Sequence, residues 1–191
     1  MFKKMMLALG AVVLSSAVYA ADYPLTVWNA VDSEGVISEA QGNSFLYTVT
    51  VDQQKAGSKS TPANGWIRLQ NIPNGRIGVD MVKYNQVEFD VTVNSEAAGS
   101  LFQLYFGLAC ADGNKGEICI SNKFEPGKSY RIIIPMKAFT RLNDASLKKV
   151  NSLQFVIYEK HMADGTKLQL RFNNLRLTSG SDGMIKIKVN E

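Results

Sequence analysis

Gln86-Val-Glu-Phe-Asp-Val-Thr-Val93 alternates without a break between a polar side chain and a β-branched or aromatic one. A period of two is the pattern of a strand with one face on a core and the other toward solvent. It sends Val87, Phe89, Val91 and Val93 inward and leaves Glu88, Asp90 and Thr92 outside. The rhythm recurs along the chain. Phe102, Leu104, Phe106 and Leu108 turn inward and leave Gln103 and Tyr105 outside, while Ile67 and Leu69 turn inward between Trp66, Arg68 and Gln70. Leu153, Phe155 and Ile157 leave Gln154 and Tyr158 outside, and Tyr130, Ile132 and Ile134 do the same for Arg131. Strands are expected near 25–29, 45–51, 65–70, 86–93, 101–108, 117–122, 129–135, 152–158, 167–177 and 184–189, separated by Gly, Asn, Asp, Ser and Pro. The expected fold is all-β, a two-sheet antiparallel β-sandwich.

The rest of the chain fits around these strands. Asp144-Ala-Ser-Leu-Lys-Lys-Val150 has room for one or two helical turns and reads as a connector. The Gly-, Ser-, Lys- and Pro-containing stretch 53–64 reads as an exposed loop. Residues 184–189 form an extra C-terminal strand after the Gly180-Ser-Asp-Gly183 turn, suited to covering a sheet edge. At the other end, Lys3 and Lys4 precede an apolar run from Met5 to Leu14 and the small-residue sequence ending Val18-Tyr-Ala20. That is the pattern of a secretory signal peptide, with cleavage expected after Ala20 or, as the second choice, after Ala21, and the run is too short to span a bilayer. Residues 21–191 are then one domain, secreted or periplasmic, with no membrane insertion after cleavage.

Charge and cysteines narrow the possible functions. Loss of Lys3 and Lys4 takes the net charge from +4 to +2, and the remaining basic residues are scattered among acids, which sets nucleic acid aside as a partner. Cys110 and Cys119 flank a turn-rich segment that folds 101–109 back on 117–124, and in an oxidising compartment they are expected to form a disulfide. A zinc site would need four ligands, and His161 is the one further soft donor besides these thiols. His161 itself reads as a residue of a solvated hairpin tip closed by Gly165.

From Tyr84 onward the chain resembles the jelly-roll carbohydrate-binding modules of the galactose-binding-like type. The resemblance lies in Tyr84-Asn-Gln-Val-Glu-Phe-Asp-Val91, in Tyr130-Arg-Ile-Ile-Ile-Pro-Met-Lys-Ala-Phe139, in Leu147-Lys-Lys-Val-Asn-Ser-Leu-Gln-Phe-Val-Ile157 and in Leu170-Arg-Phe-Asn-Asn-Leu-Arg-Leu177. It implies a jelly-roll sandwich and non-catalytic binding of a polysaccharide or glycan. Members of the family often hold a structural calcium through an aspartate in the final strand. Asn173 and Asn174 stand there in this chain, a departure that leaves Asp22, Asp52 and backbone carbonyls as oxygen donors. No other cofactor is implied.

Sugars present flat C–H faces edged with hydroxyl groups, so a site for them needs rings to stack on and planar polar groups to hydrogen-bond. Among the outward residues, Trp66, Tyr105 and Tyr158 supply rings, and Arg68, Glu88, Asp90, Gln103 and Gln154 supply polar groups. Trp28 reads as a core or edge-covering residue. Competing readings are that the outward rings lie under loops, that the charges are cross-strand ion pairs, and that the protein is a structural or adhesive envelope component. A lyase or glycoside hydrolase would draw on Glu88 and Asp90, two residues apart on one strand face. A serine hydrolase is disfavoured, because no Gly-x-Ser-x-Gly elbow occurs.

Overall fold

The structure, a computed structural model, describes residues 22–31, 35–52, 66–72, 78–95, 102–158, 162–180 and 183–190. The expected leader over 1–20, the loop over 53–64 and His161 lie outside the described residues. Two antiparallel sheets face each other. The first runs in the order β12 (Lys186–Val189), β9 (Ser129–Pro135), β6 (Gln86–Ser95), β11 (Lys167–Thr178), β4 (Ser44–Thr50) and β3 (Val36–Gln41). A short β1 (Tyr23–Pro24) also pairs with β11. The second sheet runs β2 (Trp28–Val31), β5 (Trp66–Asn71), β10 (Val150–Tyr158), β7 (Phe102–Cys110) and β8 (Lys115–Asn122). Among the described residues no helix is long and apolar enough to cross a membrane.

The alternation read from the sequence decides which side chains meet between the sheets. Val87, Phe89, Val91 and Val93 of β6 are fully buried, as are Leu104, Phe106 and Leu108 of β7. Phe155 of β10 stacks on Phe172 of β11 across the sandwich, with ring centroids 4.5 Å apart, and Phe89 meets Phe155 edge-on at 4.9 Å. Trp28 is buried against Phe45 and Phe155, and its indole N–H donates to the Leu25 carbonyl at 3.2 Å. Truncating a ring in such a cluster costs about 3–5 kcal/mol, which makes these aromatics the main anchors of one sheet on the other. The connector at 144–150 is a single turn, α1 (Asp144–Leu147), whose N-terminus is capped by Asn143 Oδ1 accepting from the Ser146 N–H at 2.9 Å.

Three expectations need correction. The strand foreseen near 25–29 is instead two short strands in different sheets. Val27 adopts φ 60°, and the Asn71 side-chain amide donates to the Thr26 and Val27 carbonyls, so the chain bends there and crosses from β1 to β2. β3, absent from the sequence reading, is an edge strand exposed at five of its six positions and so lacks an alternating apolar face.

The Cys110–Cys119 disulfide does not form: both cysteines are free. The 102–110 and 115–122 segments do pair, as expected, but Cys119 is registered opposite Tyr105, five residues short of Cys110 along β7. At the rise of a strand that is roughly 16 Å, against the Cα separation of less than about 7 Å that a disulfide requires. Moreover, Cys110 is buried while Cys119 is exposed beside Tyr105. Burial, with a smaller contribution from Asp112, pushes the Cys110 thiol up to about 11.

Candidate binding face

The eight residues singled out from the sequence separate onto two sheets. Arg68, Gln103, Tyr105, Gln154 and Tyr158 all belong to the five-stranded sheet, together with Trp66. Glu88 and Asp90 lie on β6 of the other sheet, whose outer face is the far side of the sandwich. They are therefore not part of one hollow with the tyrosines.

Both carboxylates are instead bound up in ion pairs. Asp90, 4% exposed, accepts from Arg131 Nε at 2.8 Å and Nη2 at 3.2 Å, and from the Asn174 amide at 2.6 Å. Burial alone would raise its pKa. The hydrogen bonds from Arg131, Asn174 and Asn190 and the guanidinium charge outweigh that and hold it below the ordinary carboxylate value. Glu88 accepts from Gln86 Nε2 at 2.6 Å, Thr178 Oγ1 at 2.8 Å and Arg176 Nη2 at 3.2 Å. This cluster does not suit calcium. Asn174 presents its N–H group to Asp90, Arg131 fills the other side with cationic donors, and Asp22 sits 3.6 Å from Arg176. Among the described residues no three His, Cys, Asp or Glu side chains gather as a metal site.

The outer face of the five-stranded sheet is built in cross-strand rows. One row is Asn29, Gln70, Gln154, Gly107 and Glu117, and the next is Val31, Arg68, Val156, Tyr105 and Cys119. Two residues further along β10, Tyr158 is registered opposite Trp66, and on the neighbouring hairpin Gln103 faces Ser121. The side chain of Trp66 lies outside the described residues. Tyr105 and Tyr158 meet edge to face, with centroids 4.9 Å apart and ring planes at 89°. Both are partly exposed, so neither ring is sealed under a loop.

Polar groups surround that pair. Tyr105 Oη donates to Gln103 Oε1 at 3.4 Å. Its hydrogen bond with the Cys119 thiol and its partial desolvation push the phenol up to about 12. Tyr158 is also raised, by desolvation first and then by the charges of Glu117 and Cys119. On the other side Gln70 Nε2 donates to Ser152 Oγ at 2.7 Å. Glu117 was not among the residues picked from the sequence. Its carboxyl reaches solvent, yet the surrounding protein raises its pKa by desolvation. No sequence signal singles it out: its place follows from the pairing of β8 with β7, which sets it opposite Gly107, two residues from the position that faces Tyr105.

A cleft of about 430 Å³ lies elsewhere, at the end of the sandwich, between Val82, Met136, Phe139, Leu142 and Leu147. It includes none of the residues foreseen as a site.

Comparison with known proteins places this architecture. No family model matches the chain, and no curated protein matches it significantly. Solved structures do. One is an agarase, AgWH50C, at TM-score 0.55 and 12% identity over 85% of this chain, which spans 25% of the agarase. A family 30 carbohydrate-binding module aligns over its whole length with 84% of this chain, at TM-score 0.52 and 16% identity. The family 30 module of the cellulosomal cellulase Cel9D-Cel44B of Clostridium thermocellum also aligns over its whole length, with 85% of this chain at TM-score 0.50 and 13% identity. The two sheets, their antiparallel pairing and these alignments together establish that the chain has the jelly-roll β-sandwich fold of carbohydrate-binding modules.

Proposed function

We propose that this protein is an exported, non-catalytic module that binds a polysaccharide or glycan on the outer face of the five-stranded sheet. The observation that carries the proposal is the Tyr105–Tyr158 pair, partly open to solvent and bordered by Gln103, Gln154 and Arg68. Rings at this position offer C–H stacking, and amides, phenols and a guanidinium offer the donors and acceptors that hydroxyl groups require. Export rests on the Lys3–Ala20 pattern. The non-catalytic reading rests on Glu88 and Asp90: the pair a glycosidase would use is held in ion pairs by Arg176 and Arg131, so that both carboxylates are already occupied. The modules of similar fold described above are carbohydrate-binding ones, which favours the same broad role here.

The test is affinity electrophoresis in gels containing single polysaccharides, comparing the wild type with Tyr105→Ala, Tyr158→Ala and Trp66→Ala. Loss of one stacking ring should weaken binding by about 1 kcal/mol, roughly fivefold in Kd. Circular dichroism should remain that of a folded β protein. Unaltered retardation in all three folded variants would remove this face as the site.

A further inference from the structure

Four of the seven large apolar side chains that stand exposed among the described residues fall within 184–189: Met184, Ile185, Ile187 and Val189. Ile187 and Val189 belong to β12, the edge strand beside β9. Their register partners, Ile132 and Tyr130, are buried in the core, so both side chains lie on the core-facing side of the sheet. They nonetheless remain 36% and 53% exposed, and neither joins the core cluster: the core ends at β9 and β12 overhangs it. The opposite side of the same strand is basic. Lys186 and Lys188 alternate with the apolar residues, and Lys188 is exposed and registered beside Arg131.

The backbone of this edge is open as well. The Asn190 N–H donates to the Ser129 carbonyl at 2.9 Å, and by the alternation of an antiparallel ladder Lys188 and Lys186 are the next residues hydrogen-bonded to β9. The N–H and C=O groups of Ile187 and Val189 then point away from β9, to a side where no strand of the described residues lies. Such an edge is a template for one further strand.

Charge decides which strand fits. A second copy of β12, in any register that sets apolar residues against apolar ones, also sets lysine against lysine, which is destabilising. A segment alternating apolar and acidic side chains satisfies both sides at once. Its apolar groups cover Ile187 and Val189, and its carboxylates meet Lys188.

We infer that β12 is a docking edge for an extended segment of a partner protein in which apolar and acidic residues alternate, added as a further strand of the larger sheet. The edge lies on the sheet opposite the proposed glycan face, and its role is independent of that face.

The experiment is fluorescence anisotropy of the full chain with three short labelled peptides of equal length. In one, valine and glutamate alternate; in another, valine and lysine alternate; the last has the composition of the first with its glutamates in one block. The alternating acidic peptide should bind about tenfold more tightly than either control, and Lys188→Glu should shift the preference to the lysine peptide. Ile187→Pro removes an N–H that points to the open edge and leaves the hydrogen bonds to β9 in place. It should abolish binding with the thermal midpoint held within about 4 °C. In the wild type, the acidic peptide should protect the Ile187 and Val189 amides from hydrogen exchange, those of Lys186 and Lys188 being protected already. Equal affinities for the three peptides, no binding of the acidic one, or a preference unchanged by Lys188→Glu would overturn the inference. Self-association of the chain without peptide, lost in Ile187→Pro, would overturn it in favour of a second copy.

Discussion

Gln154 lays its side chain over the bare backbone of Gly107, its cross-strand partner. A β-carbon at Gly107 would stand 3.1 Å from Gln154 Cγ and 3.2 Å from its Nε2. The glycine is there because the amide needs its space. Gly107 also lies between Gln154 and Glu117 in the same cross-strand row.

This relationship predicts the behaviour of Gly107→Val. The added branches displace the Gln154 amide from the face, while the β-branched residue suits a strand. Glycan affinity should fall severalfold with a thermal midpoint within about 4 °C of the wild type. Titration calorimetry and a melting curve on one preparation check both halves. A variant that melts normally and binds normally would mean Gln154 does not contact the ligand.

Asp90 and Arg131 make the stability of the fold sensitive to acid. The folded pKa of Asp90 lies below its ordinary value of 3.8. Its contribution is therefore complete above that value and is lost as pH falls through it toward the lower folded pKa. Asp90→Asn should remove about 2 kcal/mol at neutral pH. That is less than the loss for a fully buried pair, because the Arg131 side chain remains 37% exposed. The difference between wild type and variant in urea unfolding should narrow as pH drops below about 4. A gap that stays constant down to pH 2 would contradict this role.

The free cysteines make a separate prediction. A thiol reagent should modify the exposed Cys119 in the native protein, whereas Cys110 should react after unfolding, since it is buried and its thiol is pushed up to about 11. Reducing agent should leave the melting temperature unchanged. Non-reducing peptide mapping that recovers a Cys110–Cys119 link would refute the pairing register.

What the sequence reveals of this fold, and what it conceals, follows from the reach of a period of two. Alternation tells which side of its own strand a residue occupies, so the buried sets of β6, β7, β9 and β10 are readable directly, as is the outward position of Tyr105, Gln154 and Tyr158. It does not tell which sheet a strand joins. Glu88 and Asp90 point outward as their alternation requires, yet outward on the opposite layer, since strand order is set by pairings between residues far apart in the chain. β3 escapes notice for a related reason: an edge strand in water has no apolar side to alternate. The cysteines misled because a turn-rich segment reveals the hairpin without revealing its register or the faces its ends present. Glu117 is invisible for a similar reason, its place opposite Gly107 being set by the pairing of β8 with β7.

The partition of charge between the two layers has a consequence for how such a chain can change. On one layer Glu88, Asp90, Arg131 and Arg176 constrain one another, so a single replacement there leaves a stranded partner. On the other, the tyrosines, Gln103 and Gln154 border open water and are held by neutral contacts rather than by ion pairs. Recognition can thus be altered one residue at a time on the tyrosine side, by mutation or by an engineer, while the opposite side keeps the scaffold standing.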